Sequence, residues 1–260
     1  MSVDISVIPP LAERLTFIRE IKLLTPAPKT RSRVLSVKSY SALGSSGSQS
    51  AVLLGDTLLN YMEGMSRDER REIRNSVRLA QILSNKYKDE KLDLAAWLDI
   101  YAKALNYMGW YSDRKPGEKK YDDFSGDISS KMVEVVRELG NEPMLDNTLA
   151  SFAALKKHKA GLASYAKESL WGQSFQTMPS GRDEQGRITL VLNHSRLNAT
   201  RQVENFLFCH WRSGEVLLRH NYLSFFLDRS AYAQVRAEVE AVIEEDDMRE
   251  IELRLESIGA

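Results

Sequence analysis

The chain has 260 residues, 43% of them hydrophobic and 28% charged, with 36 Lys plus Arg against 36 Asp plus Glu. Those fractions suit a globular protein with a substantial core, and the zero net charge excludes a global electrostatic pull toward nucleic acid or an anionic membrane. The single cysteine, Cys209, excludes an internal disulfide and points to a reducing interior or to a fold that needs no covalent staple.

Residues Met1 to Pro10 lack a basic stretch followed by an apolar one, and no apolar run nears the ~18–20 residues of a spanning helix. The expected setting is therefore the cytoplasm, or export without a classical signal peptide. From Pro10 to Leu24, Leu11, Leu15, Ile18, Ile21 and Leu24 recur at helical spacing, and Pro26 and Pro28 end the pattern. Lys29, Arg31 and Arg33 then make this arm locally positive. Ser41 to Ser50, S-A-L-G-S-S-G-S-Q-S, has the composition of a flexible linker and marks the boundary between arm and body.

Ala51 to Met62 reads as a short apolar helix. At Ser66–Glu69 the string S-R-D-E fits a capping box and starts a helix with an inner stripe of Ile73, Val77, Ala80, Leu83 and Tyr87. Arg67, Arg70, Arg71, Arg74 and Arg78 alternate there with Asp68, Glu69 and Glu72, the pattern of a solvated, ion-paired face. A second helix runs from Asp93 to Met108, with Trp97, Tyr101 and Leu105 on a wide apolar face, and Gly109 closes it. Tyr111 to Gly126 reads as a mobile connection. Helices follow from Ser129 to Gly140 and from Pro143, the latter continuing past Gly161 to Tyr165.

After Trp171 the period changes. Phe175–Met178, Arg187–Asn193 and Val203–Trp211 read as strands, with Pro179 to Gly186 as a break and Ser213-Gly214 as a hairpin turn. Asp228 or Ser230 caps a helix carrying Tyr232, Val235, Val239 and Val242. Arg249 to Glu256 alternates strictly, which puts Ile251, Leu253 and Leu255 on one face of a last strand.

Candidate chemistry is sparse. His194, His210, His220 and Cys209 fall in the β region, but Cys209 and His210 are adjacent and cannot both ligate one ion from a regular strand, so no metal site is assigned. His158, within K-K-H-K, reads as a solvated helix position. Ser164-x-x-Lys167 matches a short nucleophile pattern without its companion motifs. Gly44–Gly47 is neither a dinucleotide fingerprint nor a phosphate loop. Cys209, among Phe206, Leu207, Phe208 and Trp211, reads as an inert thiol in a buried strand. Asn193-His194-Ser195 and Asn198-Ala199-Thr200 fit the glycosylation pattern and read as loop residues.

The strings R-D-E-R-R-E-I-R-N-S-V-R-L-A-Q at Arg67–Gln81, W-L-D-I-Y-A-K-A-L-N-Y-M-G-W at Trp97–Trp110 and Y-A-Q-V-R-A-E-V at Tyr232–Val239 resemble an uncharacterised family of bacterial and fungal proteins. The resemblance spans roughly residues 66 to 255 and implies a helical first part, a β-rich second part and a late helix. It brings no catalytic residues.

The expected fold is α+β: an N-terminal helical bundle followed by a C-terminal antiparallel β unit with one late helix. The expected domains are an arm and linker over 1–50, a helical domain over 51–170 and a β domain over 171–260. The expected function is a non-enzymatic, self-associating interaction protein, of effector or toxin-like type, without cofactor or nucleic acid. It would contact a partner protein or membrane through Leu11, Leu15, Ile18 and Ile21, with Arg31 and Arg33 as electrostatic support. The alternatives are an enzyme with a dispersed site near His194, His210 or His220, and a small-ligand module lined by Phe206, Phe208, Trp211, Tyr222, Phe225 and Phe226.

Overall fold

The computed structural model describes residues 4–24, 47–87, 93–139, 141–244, 250–253 and 255. In chain order the first elements are α1 (Leu11–Leu24), β1 (Ser50–Leu54), β2 (Thr57–Tyr61), α2 (Arg67–Tyr87), α3 (Leu94–Tyr107), β3 (Trp110–Tyr111), β4 (Gly117–Tyr121) and α4 (Ile128–Leu139). There follow α5 (Glu142–Lys157), α6 (Lys159–Glu168), β5 (Phe175–Arg182), β6 (Ile188–Ala199), β7 (Val216–Leu227), α7 (Arg229–Ile243) and β8 (Glu250–Leu253). No described helix is long and apolar enough to cross a membrane. The chain forms two units, each drawn from separate stretches: unit 1 from Met1–Ser45, Arg67–Asp113 and Phe226–Asp247, unit 2 from Ser46–Ser66, Arg114–Phe225 and Met248–Ala260.

Unit 1 is built on α1, α2, α3 and α7. The carboxylate of Asp93 accepts from Ala96 N–H at 3.1 Å to start α3, and Asp228 accepts from Ala231 N–H at 2.9 Å to start α7. The expected stripe on α2 packs inward at Ile73, Val77, Ala80 and Leu83, against α3 and α7, whereas Tyr87 is exposed. Trp97 is buried and donates its indole N–H to Asn85 at 2.8 Å. The charged face of α2 is solvated only in part: Arg67, Asp68 and Arg71 are exposed, with Arg71 3.6 Å from Asp68, whereas Glu69, Arg70, Glu72 and Arg78 are buried. Burial is sustained by pairing, since Arg229 and Arg236 of α7 both reach Glu72. β3 pairs antiparallel with Phe226 and Leu227 at the end of β7.

In unit 2 the strand order is β7-β6-β5-β2-β1-β8, with β4 also on β7. The sheet is mixed, because β2 and β5 run parallel while β1–β2, β1–β8, β4–β7 and β5–β6 are antiparallel. Strands therefore also occur in the part of the chain expected to be a bundle. Ala51–Met62 is not a helix but the β1–β2 hairpin, turned by Gly55 (φ +57) and Asp56. Its strands are buried on both faces, so they read as a continuous apolar run instead of an alternating one. Gly117–Tyr121 is strand β4 and not a mobile connection.

β5 passes through the expected break at Pro179, where its ladder to β6 lapses between Thr177 and Ser180 and then resumes in register. Val203–His210 is not a strand, since Glu204–Phe208 forms a turn; Trp211 makes only an isolated antiparallel bridge to Gly126, and no hairpin forms at Ser213-Gly214. The aromatic residues there fill the core from a loop: Phe206 stacks on Tyr165 at 6.1 Å and meets Phe175 edge-on at 5.1 Å. Cross-strand register puts Ala51, Leu53, Leu58, Phe175, Val191 and Leu253 on one sheet face, where Met132, Val136, Leu145, Leu155 and Tyr165 from α4, α5 and α6 cover them. The last expected strand is present as β8, paired with β1.

Candidate functional site

One cluster of titratable groups in unit 2 lies at α4, around Glu134. Cross-strand register places Lys119 opposite His220 and Tyr121 opposite Leu218, so that Lys119, Tyr121 and His220 share the helix-covered face. Ser195 of β6 joins them, its Oγ hydrogen-bonded to His220 Nδ1 at 2.7 Å, and both residues are fully buried. His220 Nε2 meets no hydrogen-bond partner among the described residues. The Tyr121 ring stands edge-on to the imidazole with centroids 5.6 Å apart.

Toward the surface the network continues through charge. Tyr121 donates to Glu134 Oε2 at 2.6 Å, Lys131 reaches Glu134 Oε1 at 2.7 Å, and Lys119 pairs with Glu138. Burial, and then the bond to Glu134, pushes the Tyr121 hydroxyl well above its usual range. Burial alone would raise Glu134, but the bonds from Lys131 and Tyr121 outweigh it and hold this carboxyl below its usual range. Burial dominates at His220 and lowers its pKa to about 4, against the opposing pull of Glu134.

Chemically, the pair at Ser195 and His220 is poised for structure. An imidazole with a pKa near 4 is a weak base at neutral pH, and a hydroxyl with no exposed surface meets no substrate. Consecutive strand residues point to opposite faces, so His194 projects away from Ser195; its Nε2 lies 3.0 Å from Ser174 Oγ. His210 is exposed, with Nε2 3.1 Å from Ser125 Oγ. The three histidines thus do not converge on one site. Among the described residues no group of three or more His, Cys, Asp or Glu is placed to hold a metal ion.

The other expectations resolve individually. Cys209 lies in a turn, half-buried, with burial raising its pKa and opposing thiolate formation. Asn193 is fully buried within β6, so Asn193-His194-Ser195 is neither a loop nor accessible to a glycan. His158 ends α5 and caps α6, its Nδ1 accepting from Gly161 N–H at 2.8 Å, which divides the helix expected to be continuous. Ser164 is half-buried and Lys167 exposed on α6. Phe206, Trp211 and Phe225 are core residues of unit 2, and Phe226, also buried, lies against Tyr111 in unit 1.

On α1, Ile18 and Ile21 are buried, Leu15 is half-buried and Leu11 is 41% exposed. Arg31, Arg33 and most of the Ser41–Ser50 linker lie outside the described residues; Ser50 already belongs to β1. Sequence reasoning missed Tyr121, Glu134, Lys131 and Ser195. The usable signal was the i, i+2 spacing of Lys119 and Tyr121, which places both on one strand face.

No protein-family profile and no curated protein matches the chain. Among solved structures the chain is similar to the Evf virulence factor, at 10% identity and a TM-score of 0.38, over 90% of this chain and 88% of that one. A likeness at that TM-score assigns neither an activity nor a fold.

Proposed function

We propose that this chain is a non-enzymatic interaction protein that self-associates through the outward face of Val7 and Leu11. The observation that carries this reading is how the segment before α1 is held. Asn106, buried on α3, donates to the carbonyls of Ile5 (3.4 Å) and Val7 (3.2 Å), and Ser112 N–H donates to Ile5 O at 3.0 Å. Ile5 turns inward at 9% exposure, while Val7 is left 69% exposed and Leu11 41%. An apolar pair fixed in place loses little conformational freedom on binding. Equal numbers of positive and negative side chains, 36 each, mean that a second copy of the chain is not repelled.

The reading places the contact at Val7 and Leu11 and not at Ile18 and Ile21, which already pack inside unit 1 against α7 and α3. Sedimentation of the full chain is expected to show a mass that rises with concentration. The double variant Val7→Asp, Leu11→Asp is expected to sediment as a monomer with an unchanged circular dichroism spectrum. A wild-type chain that stays monomeric at its highest workable concentration overturns the reading.

A further inference from the structure

Lysines gather where α5 meets α6 in unit 2. Between Asp146 and Asp183 the sequence holds a single acidic residue, Glu168, against Lys156, Lys157, Lys159 and Lys167. His158 turns the chain at that corner, ending α5 and capping α6, and these lysines are all exposed. Lys159 and Lys167, two turns apart on one side of α6, pair with no carboxylate among the described residues. Lys156 lies over the Phe208 ring at 5.8 Å. Leu155 of α5 and Tyr165 of α6 both anchor in the core on one face of the sheet, so the outer sides of the two helices look away from it together. Leu149, 43% exposed, and the exposed Ala153 precede Lys156 at helical spacing on the outer side of α5, which sets an apolar strip beside the charge.

The chain leaves α6 through a turn that shows Trp171 to solvent at a conformational cost. Leu170 and Trp171 have φ values of 52 and 62, and Leu170 stands where a helix ordinarily ends on glycine. Trp171 N–H closes the turn on Ala166 O at 2.6 Å, and Gly172 O accepts from Leu197 N–H at 3.0 Å, so the turn is tied on both sides. Trp171 is 39% exposed, whereas Trp97, Trp110 and Trp211 are 1% exposed or less. Backbone strain retained where an aromatic ring stands at the surface points to a contact that uses the ring.

We propose that the outer surface of α5 and α6 docks on an anionic lipid surface, with Lys156, Lys159 and Lys167 toward the headgroups and Leu149 and Trp171 at the edge of the acyl chains. Ammonium groups on long stems reach headgroups while an indole settles at the boundary between polar and apolar layers. The chain as a whole is neutral, so the pull is local to this corner. The apolar strip and the indole favour lipid over an acidic polypeptide, which would engage the lysines alone. The contact goes beyond self-association and shares no residue with Val7 and Leu11.

The test uses the full chain with vesicles of phosphatidylcholine, alone or mixed with phosphatidylserine, followed by co-sedimentation and by tryptophan fluorescence. Because the other tryptophans are buried, quenching by lipids with brominated acyl chains reports Trp171. Wild-type protein is expected to bind the mixed vesicles, not phosphatidylcholine alone, and to show that quenching. Lys159→Glu with Lys167→Glu is expected to weaken binding by about tenfold or more. Trp171→Gly should hold or raise the melting temperature, since glycine adopts this φ without strain, and still bind vesicles several-fold less well. No binding to the mixed vesicles, equal binding to both kinds, binding that the double lysine variant leaves intact, or bound protein without quenching overturns the proposal. Wild-type protein that binds soluble polyglutamate and no vesicle overturns it in favour of an acidic polypeptide.

Discussion

Ser195 Oγ lies 2.7 Å from His220 Nδ1, and neither residue has any exposed surface. The two are 25 positions apart and meet because β6 and β7 bring them to one face of the sheet beneath α4. A buried imidazole with one nitrogen satisfied and the other without a partner among the described residues is costly to charge. The pair therefore links the stability of unit 2 to pH.

The direction of that link follows from the two protonation states. The imidazole titrates at 6.5 when unperturbed and at about 4 in the fold. Above pH 6.5 both folded and unfolded chains hold it neutral, so its contribution is fully present. Between pH 6.5 and about 4 only the unfolded chain takes up the proton, so stability falls with pH and levels off below that window. The span corresponds to about 3 kcal/mol. Urea unfolding of wild-type and His220→Gln protein, from neutral pH to about 4.5, is expected to give profiles that converge as the pH drops. Parallel profiles would remove His220 as the cause.

Ser195→Ala deprives the buried Nδ1 of its partner and is expected to lower stability by about 1–3 kcal/mol. His220→Leu removes the polar group altogether, so adding Ser195→Ala to it should cost much less than it does alone. A double-mutant cycle by urea denaturation reads the difference, with an expected coupling of about 1 kcal/mol. Additive effects would mean that the two side chains do not stabilise each other.

The legibility of these elements in the sequence divides along physical lines. Helix α7 was legible because Asp228 is a local cap whose partner lies three residues away, α5 because Pro143 suits a first helical turn, and α3 from the apolar face of Trp97, Tyr101 and Leu105. Strand β8 was legible from strict alternation. The β1–β2 hairpin was not, since burial on both faces erases alternation and leaves an apolar run that a helix could equally supply. Phe206 and Trp211 misled in the opposite sense: aromatic residues suggested a strand, yet Phe206 fills the core from a turn and Trp211 from an isolated bridge to Gly126. The pairing of Ser195 with His220 was beyond reach, because it depends on which strands become neighbours.

Burial of the α2 charges leads to a contrast between two ion pairs of unit 1. Glu72, 2% exposed, receives Arg229 at 2.9 Å and also Arg236, whereas Arg19 and Glu238 pair at the surface. Glu72→Gln is expected to cost about 2 kcal/mol, a value reduced from that of a wholly buried pair because both arginines retain solvent contact. Arg19→Ala should stay within about 0.5 kcal/mol. Chemical denaturation of both variants decides it, and equal small losses would show that the buried carboxylate contributes no more than a surface one.

The turn leading into β5 stores a different constraint. Leu170, Trp171 and Gly172 follow one another with positive φ values of 52, 62 and 89, an arrangement unusual for two residues bearing side chains. Gly172 also runs close beneath the core: a Cβ added there would lie 2.6 Å from Cδ2 of Phe206, whose ring is packed between Tyr165 and Phe175. Gly186 offers the control, since its φ is +75 and an added Cβ would meet nothing within 4 Å. Gly186→Ala should cost only the left-handed backbone penalty of about 1 kcal/mol. Gly172→Ala bears the same penalty plus displacement of a buried aromatic ring, and its expected loss is about 3 kcal/mol. Melting temperatures of the two variants against wild type measure the gap. Equal losses would mean that Phe206 can yield, and that the close approach of this turn to the core is not a constraint on its sequence.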